Sequence, residues 1–243
     1  SAPAAELAIE PCKPDGQYDS SAAVTSVALF HACPRKCYLS RYLGLQEENR
    51  AAWDSRLPSR GRQEAVLLGV QVHAALAGAA VESGEAMEFV ARFQSSELGQ
   101  RAERAARRER EFDFLLALQD VVLRGQIDLW FEEAGELILV DYKTDRDESG
   151  FAEYALQLRL YALALERYAG RLPDRAVLCY LRSRAMRDVS LTPADLESAR
   201  LAVRAFALAQ NSLEFPMKEG EQCRRCSFFG GSCPAKKQMS ENA

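Results

Sequence analysis

The chain has 243 residues, 48% of them hydrophobic, and a formal net charge of −4 at neutral pH. That composition supports a sizeable core and excludes wholesale disorder, and any affinity for phosphates has to come from local basic patches rather than from the overall charge. No apolar run approaches the roughly 20 residues of a membrane span, and no signal-peptide pattern is present, so no membrane partner and a cytoplasmic location are expected.

Residues 1–22 are rich in Ala, Pro, Ser and acidic residues without periodicity, and read as a linker or flexible arm. The chain opens on Ser rather than Met, as a domain cut from a longer polypeptide or a chain trimmed of a tag would. Thr25 or Ser26 is a candidate cap for a helix running towards Cys33 and Pro34. A second helical stretch over 36–43 offers Tyr38, Leu39, Tyr42 and Leu43 as an apolar face. After an irregular polar segment at 44–62, residues 64–81 read as a helix with Val66, Leu67, Val70, His73, Ala74 and Ala77 near one face, broken by Gly84. Helical turns fill 85–109 and end in the Arg-rich run QRAERAARRER, read as a solvated helix face with Glu–Arg pairs. Residues 111–118 suggest a strand.

The stretch 121–145, VVLRGQIDLWFEEAGELILVDYKTD, reads as two strands joined at Gly135. Val121, Leu123, Ile127, Leu129 and Phe131 alternate, apart from a slip near Gly125 that reads as a bulge. The run LILV at 137–140 is unbroken, as in a strand covered on both faces. Residues 151–168 form an amphipathic helix with Tyr154, Leu158, Tyr161, Leu165 and Tyr168 at helical spacing and Gly170 as its stop. Residues 175–181 read as a strand, and Thr192, Pro193 and Asp195 start a helix to about Ser212. Residues 235–243 read as a frayed tail, leaving one domain over 23–234. Strands alternating with helices give an α/β or α+β fold.

Asp128 and Asp141 stand 13 residues apart, the spacing of a hairpin that returns the second carboxylate beside the first. Two carboxylates at adjacent strand positions form a hard-oxygen site suited to Mg²⁺ or Mn²⁺. Lys143, two residues past Asp141, points to the same face because the side-chain period of a strand is two. Such a set suits phosphodiester hydrolysis, with the cation lowering the pKa of a water and the ammonium offsetting phosphate charge. Read blandly, the same residues are an Asp–Lys ion pair at strand ends. His73, on an otherwise apolar helix face, can complete the ligand set, although a lone helix histidine is more often a satisfied core residue. Gln157 and Tyr161 share a helix face at i,i+4.

Cys223-x₂-Cys226-x₆-Cys233 is a soft-ligand cluster one ligand short, and distant Cys33 can supply the fourth thiolate. Four thiolates suit an Fe–S cluster or structural Zn²⁺, and spacing does not separate the two.

The ordered motifs G-x-x-x-H (69–73), G-x-I-D (125–128), V-D-Y-K-T (140–144) and Q-x-x-x-Y (157–161) resemble the RecB-like branch of the PD-(D/E)XK nuclease superfamily, over roughly 24–234. The resemblance implies a restriction-endonuclease-like core, a central mixed sheet flanked by helices. It implies His73, Asp128, Asp141 and the Tyr142 carbonyl as metal ligands, Lys143 as the catalytic lysine, and Gln157 and Tyr161 near the site and the DNA. It puts Glu111 where related sequences carry an acidic residue ahead of the hairpin. One early cysteine joined to three late ones resembles the 4Fe–4S staple of AddB-type nuclease domains and of CRISPR spacer-acquisition nucleases. The spacing from Cys226 to Cys233 is slightly longer than in that group, and Cys37 is an additional candidate. The implied activity is metal-dependent exonucleolytic hydrolysis of DNA, in the nuclease module of a helicase–nuclease that processes double-strand breaks, where the partner would be a helicase domain or subunit. The alternatives are a stand-alone nuclease of the CRISPR spacer-acquisition type and a catalytically inactive module that binds DNA ends.

Overall fold

The computed structural model describes residues 21–45, 60–145 and 147–235. Its organising strand is β3 (Val121–Glu133), paired antiparallel along its length with β2 (Arg107–Leu118). The other edge of β3 is shared by two strands. β1 (Ser21–Ala23) lies parallel to Val122, Leu123 and Arg124, and β4 (Glu136–Lys143) lies antiparallel to residues 129–133. β5 (Arg175–Tyr180) pairs parallel with β4, and β6 (Ala185–Asp188) antiparallel with β5, completing a mixed six-stranded sheet.

Both hairpins turn in two residues with positive φ, Gln119 (52°) and Asp120 (60°), then Ala134 (53°) and Gly135 (85°). Two such residues match the right-handed twist of the flanking strands. Only the second turn carries the glycine that announces it.

Helices cover both faces. On one side α1 (Val24–Ala32), α6 (Phe151–Ala169) and α7 (Pro193–Ser212) pack over Leu123, Ile127, Trp130, Leu137 and Leu139. On the other, α3 (Arg60–Ala77), α4 (Gly84–Gln94) and α5 (Glu97–Arg104) pack over Leu129, Phe131, Ile138 and Val140. The LILV run is fully buried, each side chain contributing about 2 kcal/mol by leaving water. α2 (Pro34–Cys37) continues into a π-helical turn, Tyr38–Tyr42, whose tyrosine rings contact Phe215.

Several expectations change. Residues 1–20 and 236–243 lie outside the described residues, as does most of the segment 44–62, while Ser21 and Ala22, counted with the arm, belong to β1. α1 is capped by Ala23 without a side-chain hydrogen bond, not by Thr25 or Ser26. α3 ends at Gly78 (φ 104°), and Gly84 opens α4 behind the Ser83 cap instead of breaking a helix. The buried face of α3 is Leu68, Val72 and Leu76, whereas Val66, Leu67 and Val70 are exposed.

The Arg-rich run is helical only to Arg104, after which residues 107–110 open β2. The Glu–Arg pairing does form, largely across the fold: Arg101 and Arg104 pair with Glu133, and Arg107 with Glu132. The 175–181 strand and the helix starting behind Thr192 are found, the latter with a complete capping box.

No bulge occurs at Gly125, since the β2–β3 register runs through Phe114↔Gly125 without a shift. The irregularity sits at Asp128, where the alternation changes phase: Ile127 and Trp130 face the α6 side, Leu129 and Phe131 the α3 side. Opposite it on β2, Glu111 adopts φ 50°.

Candidate active site

The sheet splits where β1 and β4 part along the edge of β3. Among the described residues, neither strand pairs with residues 125–128. Asp128 closes the top of this gap, its Oδ2 accepting the Tyr142 backbone N–H at 2.7 Å in place of a ladder carbonyl. Its other oxygen, Oδ1, lies 3.2 Å from His73 Nδ1, and Glu111 Oε1 lies 4.0 Å from the same nitrogen. His73, Glu111 and Asp128 each offer a ligand atom within 4.8 Å of the others. Glu111 reaches the group from a left-handed backbone that costs a non-glycine residue of order 1 kcal/mol.

Gly69 explains the spacing to His73 on α3. A Cβ there would lie 3.3 Å from Thr144 Oγ1, so the glycine lets the helix approach the end of β4. Arg182, from the basic run at 182–187, donates from Nε to the Thr144 carbonyl at 3.4 Å.

Asp141 enters from the α6 side and stands outside the His73–Glu111–Asp128 group. It is 1% exposed, with Oδ2 2.6 Å from Lys143 Nζ. That oxygen has an ion-pair partner but no donor in hydrogen-bonding geometry. Oδ1 accepts from Gln157 Nε2 at 3.5 Å, and the same amide donates to the Tyr161 hydroxyl at 2.7 Å. Gly125 makes room for this arrangement, because a Cβ would lie 2.6 Å from the Phe114 ring and 3.0 Å from the Tyr161 ring. The glycine of G-x-I-D thus serves the tyrosine of Q-x-x-x-Y. Asp128, Tyr161, Arg124 and Gln126 line an open groove of about 460 Å³ along the split.

The electrostatics are those of crowded acids. Burial pushes Asp141 up to about 6, against the pull of Lys143 and with the help of Asp128. Burial and then Asp128 raise Glu111. Burial alone would lower His73, but the Asp128 hydrogen bond and the charges of Asp128, Asp141 and Glu111 raise it. Burial, followed by Asp141, raises Tyr161, so its hydroxyl stays protonated. Three carboxylates face one ammonium and one imidazole, and a buried oxygen lacks a donor. This donor set fits a hard divalent cation.

A known family matches this chain over nearly the whole described length. The model of the PD-(D/E)XK nuclease superfamily matches residues 21–234. The chain belongs to that superfamily. Among curated relatives of this superfamily member, an ATP-dependent helicase/nuclease subunit from Anoxybacillus flavithermus is 38% identical over 91 residues, 33% of this chain and 8% of the relative. The protein of the same name from Bacillus pumilus is 30% identical over 118 residues, 38% of this chain and 10% of the relative. The matched stretches therefore span about a tenth of those relatives' length. A solved structure of a candidate exonuclease from Eubacterium rectale shares the PD-(D/E)XK fold of this chain, with a TM-score of 0.53 at 13% identity over 89% of this chain and 93% of that one.

At the N-terminal end of α6 lies a second feature, a cavity of about 600 Å³ lined by Cys33, Cys223, Cys226 and Cys233. Cys33 joins α1 to α2, while Cys223 lies in a 3₁₀ turn (Glu221–Arg225) that Cys226 caps. A β-bridge between Phe229 and Cys233 shapes the rest of the loop. Backbone and side chains already hold residues 31–35 beside residues 216–218 here: Arg35 N–H donates to the Pro216 carbonyl at 3.1 Å and Lys218 Nζ to the His31 carbonyl at 2.9 Å. Cys37 is buried outside the cavity lining, its thiol pushed up to about 11 by burial. No helix among the described residues is long and apolar enough to cross a membrane.

Sequence reasoning passed over one residue at the site. Tyr154, three residues before Gln157 on α6, lies under Lys143 Nζ, 4.2 Å from its ring centroid. Its helical spacing to Gln157 was the available signal.

Proposed function

We propose that this chain is a divalent-metal-dependent deoxyribonuclease acting on DNA ends, the nuclease module of a helicase–nuclease that processes double-strand breaks. The observation that carries the reading is the convergence of His73, Glu111 and Asp128 within 4.8 Å, next to the buried Asp141–Lys143 pair. His73, Asp128 and Asp141 would hold Mg²⁺ or Mn²⁺ with the Tyr142 carbonyl, and Glu111 stands close enough to join them. When bound, the cation polarises the phosphoryl oxygen and lowers the pKa of the attacking water. Lys143 Nζ, held beside Asp141, supplies positive charge to the phosphate and orients that water. Gln157 ties Asp141 to Tyr161, whose ring borders the groove that leads away from Asp128 and offers a path for the strand. The names of the matched relatives support the helicase–nuclease context, in which the partner is a helicase domain or subunit. A cytoplasmic setting and a single nuclease domain over 23–234 go with that reading.

The four cavity cysteines support a 4Fe–4S cluster, the AddB-type or CRISPR-type feature, as a structural staple. A single structural Zn²⁺ held by the same four thiolates is the alternative. The test of the nuclease reading is degradation of linear single- and double-stranded DNA with Mn²⁺, comparing the unaltered chain with Asp141→Ala and Lys143→Ala. Loss of degradation in both variants is expected, and unchanged degradation in both would overturn the reading.

A further inference from the structure

Tyr154 belongs to none of the sequence motifs, yet it is built into the site from three sides. Its ring lies beneath the Lys143 ammonium at 4.2 Å, its hydroxyl donates to Asp145 Oδ2 at 2.9 Å, and its edge rests against Gly150. A Cβ on Gly150 would come within 2.7 Å of a ring carbon, so the glycine admits the ring where it stands. Burial and the Asp145 charge raise the phenol's pKa, which keeps it protonated and donating.

Lys143 needs such a neighbour. Its flexible four-carbon stem places a point charge with little directional preference, and its partner across the strand face is a single oxygen of Asp141, 2.6 Å away. The proposed function asks that same carboxylate to hold a cation, which weakens its hold on the ammonium. An aromatic face attracts ammonium through its quadrupole and presents no oxygen for which a divalent cation would compete. We propose that Tyr154 is a positioning residue for Lys143, its ring seating the ammonium beside the scissile phosphate and Asp145 fixing the ring. This rests on the reading of Lys143 as the catalytic lysine.

The test is steady-state degradation of a linear single-stranded oligonucleotide with Mn²⁺ by Tyr154→Leu, Tyr154→Phe, Asp145→Ala and Lys143→Ala, with Mn²⁺ affinity measured by calorimetry. Tyr154→Leu is expected to lower kcat about 10- to 100-fold, the scale of misplacing a reacting group, with KM and Mn²⁺ affinity unchanged. Tyr154→Phe, which keeps the ring, should retain most of kcat, and Asp145→Ala should fall between. A merely structural role would not give this order or confine the loss to kcat. A Leu variant with unaltered kcat beside an inactive Lys143→Ala overturns the proposal, as does a Phe variant as slow as Leu. If Tyr154→Leu does not fold, unaltered kcat in Asp145→Ala, on an exposed loop, overturns it instead. Full activity in Lys143→Ala overturns the catalytic role of Lys143 and this proposal with it, whereas unchanged degradation in Asp141→Ala as well overturns the nuclease reading.

Discussion

The carboxylate site rests on the middle of the sheet. Asp128 and Asp141 project from strands whose neighbours Ile127, Leu129 and Val140 are no more than 1% exposed, so their positions follow from the core and need no ligand. The cysteine cavity is assembled differently, from one residue between two short helices and three residues on a loop held by turns such as Cys226 N–H to the Cys223 carbonyl. The first region is a rigid scaffold carrying electrostatic stress, and the second is a loose closure that a bound group would consolidate. Removing the group held at the first should cost activity, and removing it at the second should cost stability. Tyr154 and Asp145, at the active-site strand end, also line the cysteine cavity, so the two regions share a wall.

The largest effect expected is in Asp128→Ala and Asp141→Ala. Several kcal/mol of transition-state stabilisation would be lost, slowing Mn²⁺-dependent degradation about 10³-fold or more, while Tm falls by only a few degrees as the Tyr142 N–H loses its acceptor in Asp128→Ala. Equal losses of rate and of Tm would erase the contrast between the regions. Next is Cys226→Ser or Cys233→Ser, expected to lower Tm by about 10 °C with loss of bound iron by elemental analysis. Bound zinc at one per chain in colourless protein would replace the cluster with an ion but keep the contrast.

Proton competition gives a smaller, graded effect. Because burial pushes Asp141 up to about 6, protons displace the cation as pH falls through that value. Activity should drop there, and higher Mn²⁺ should move the midpoint to lower pH; a midpoint indifferent to Mn²⁺ would assign the titration to another group.

Gly125→Ala is expected to destabilise by about 1–3 kcal/mol through overpacking against Phe114 and Tyr161, with a partial loss of rate. The smallest effect belongs to Thr192→Ala, remote from both regions. Loss of the capping box should cost about 1 kcal/mol by denaturant melts and leave degradation unchanged.

What the sequence made legible were the features written in local pattern. The 121–145 hairpin, the helix stopped by Gly170 and the Thr192 cap each carry their signal within a few residues, and the structure contains all three. The elements that went unread depend on distant partners. β1 is a three-residue strand fixed by β3 a hundred positions away. Arg107 and its neighbours look helical until Glu132 and Glu133 recruit the run to the sheet. The exposed face of α3 misled because Val66, Leu67 and Val70 rival the buried Leu68, Val72 and Leu76 in apparent amphipathicity without differing in chemistry.

The candidate site shows the same division. His73, Asp128, Asp141, Lys143, Gln157 and Tyr161 stand out by type and spacing, and the structure gathers them around the split in the sheet. That Glu111 approaches Asp128 through a left-handed backbone, and that Tyr154 lies beneath Lys143, could only follow from the register of β2 and the rotation of α6.

The most direct test is an anomalous-diffraction map from crystals soaked in Mn²⁺. A peak is expected in the split of the sheet, about 2.1 Å from carboxylate oxygens of both Asp128 and Asp141 and beside His73. Mn²⁺ bound elsewhere, with no peak between those two carboxylates, would contradict the proposed metal site.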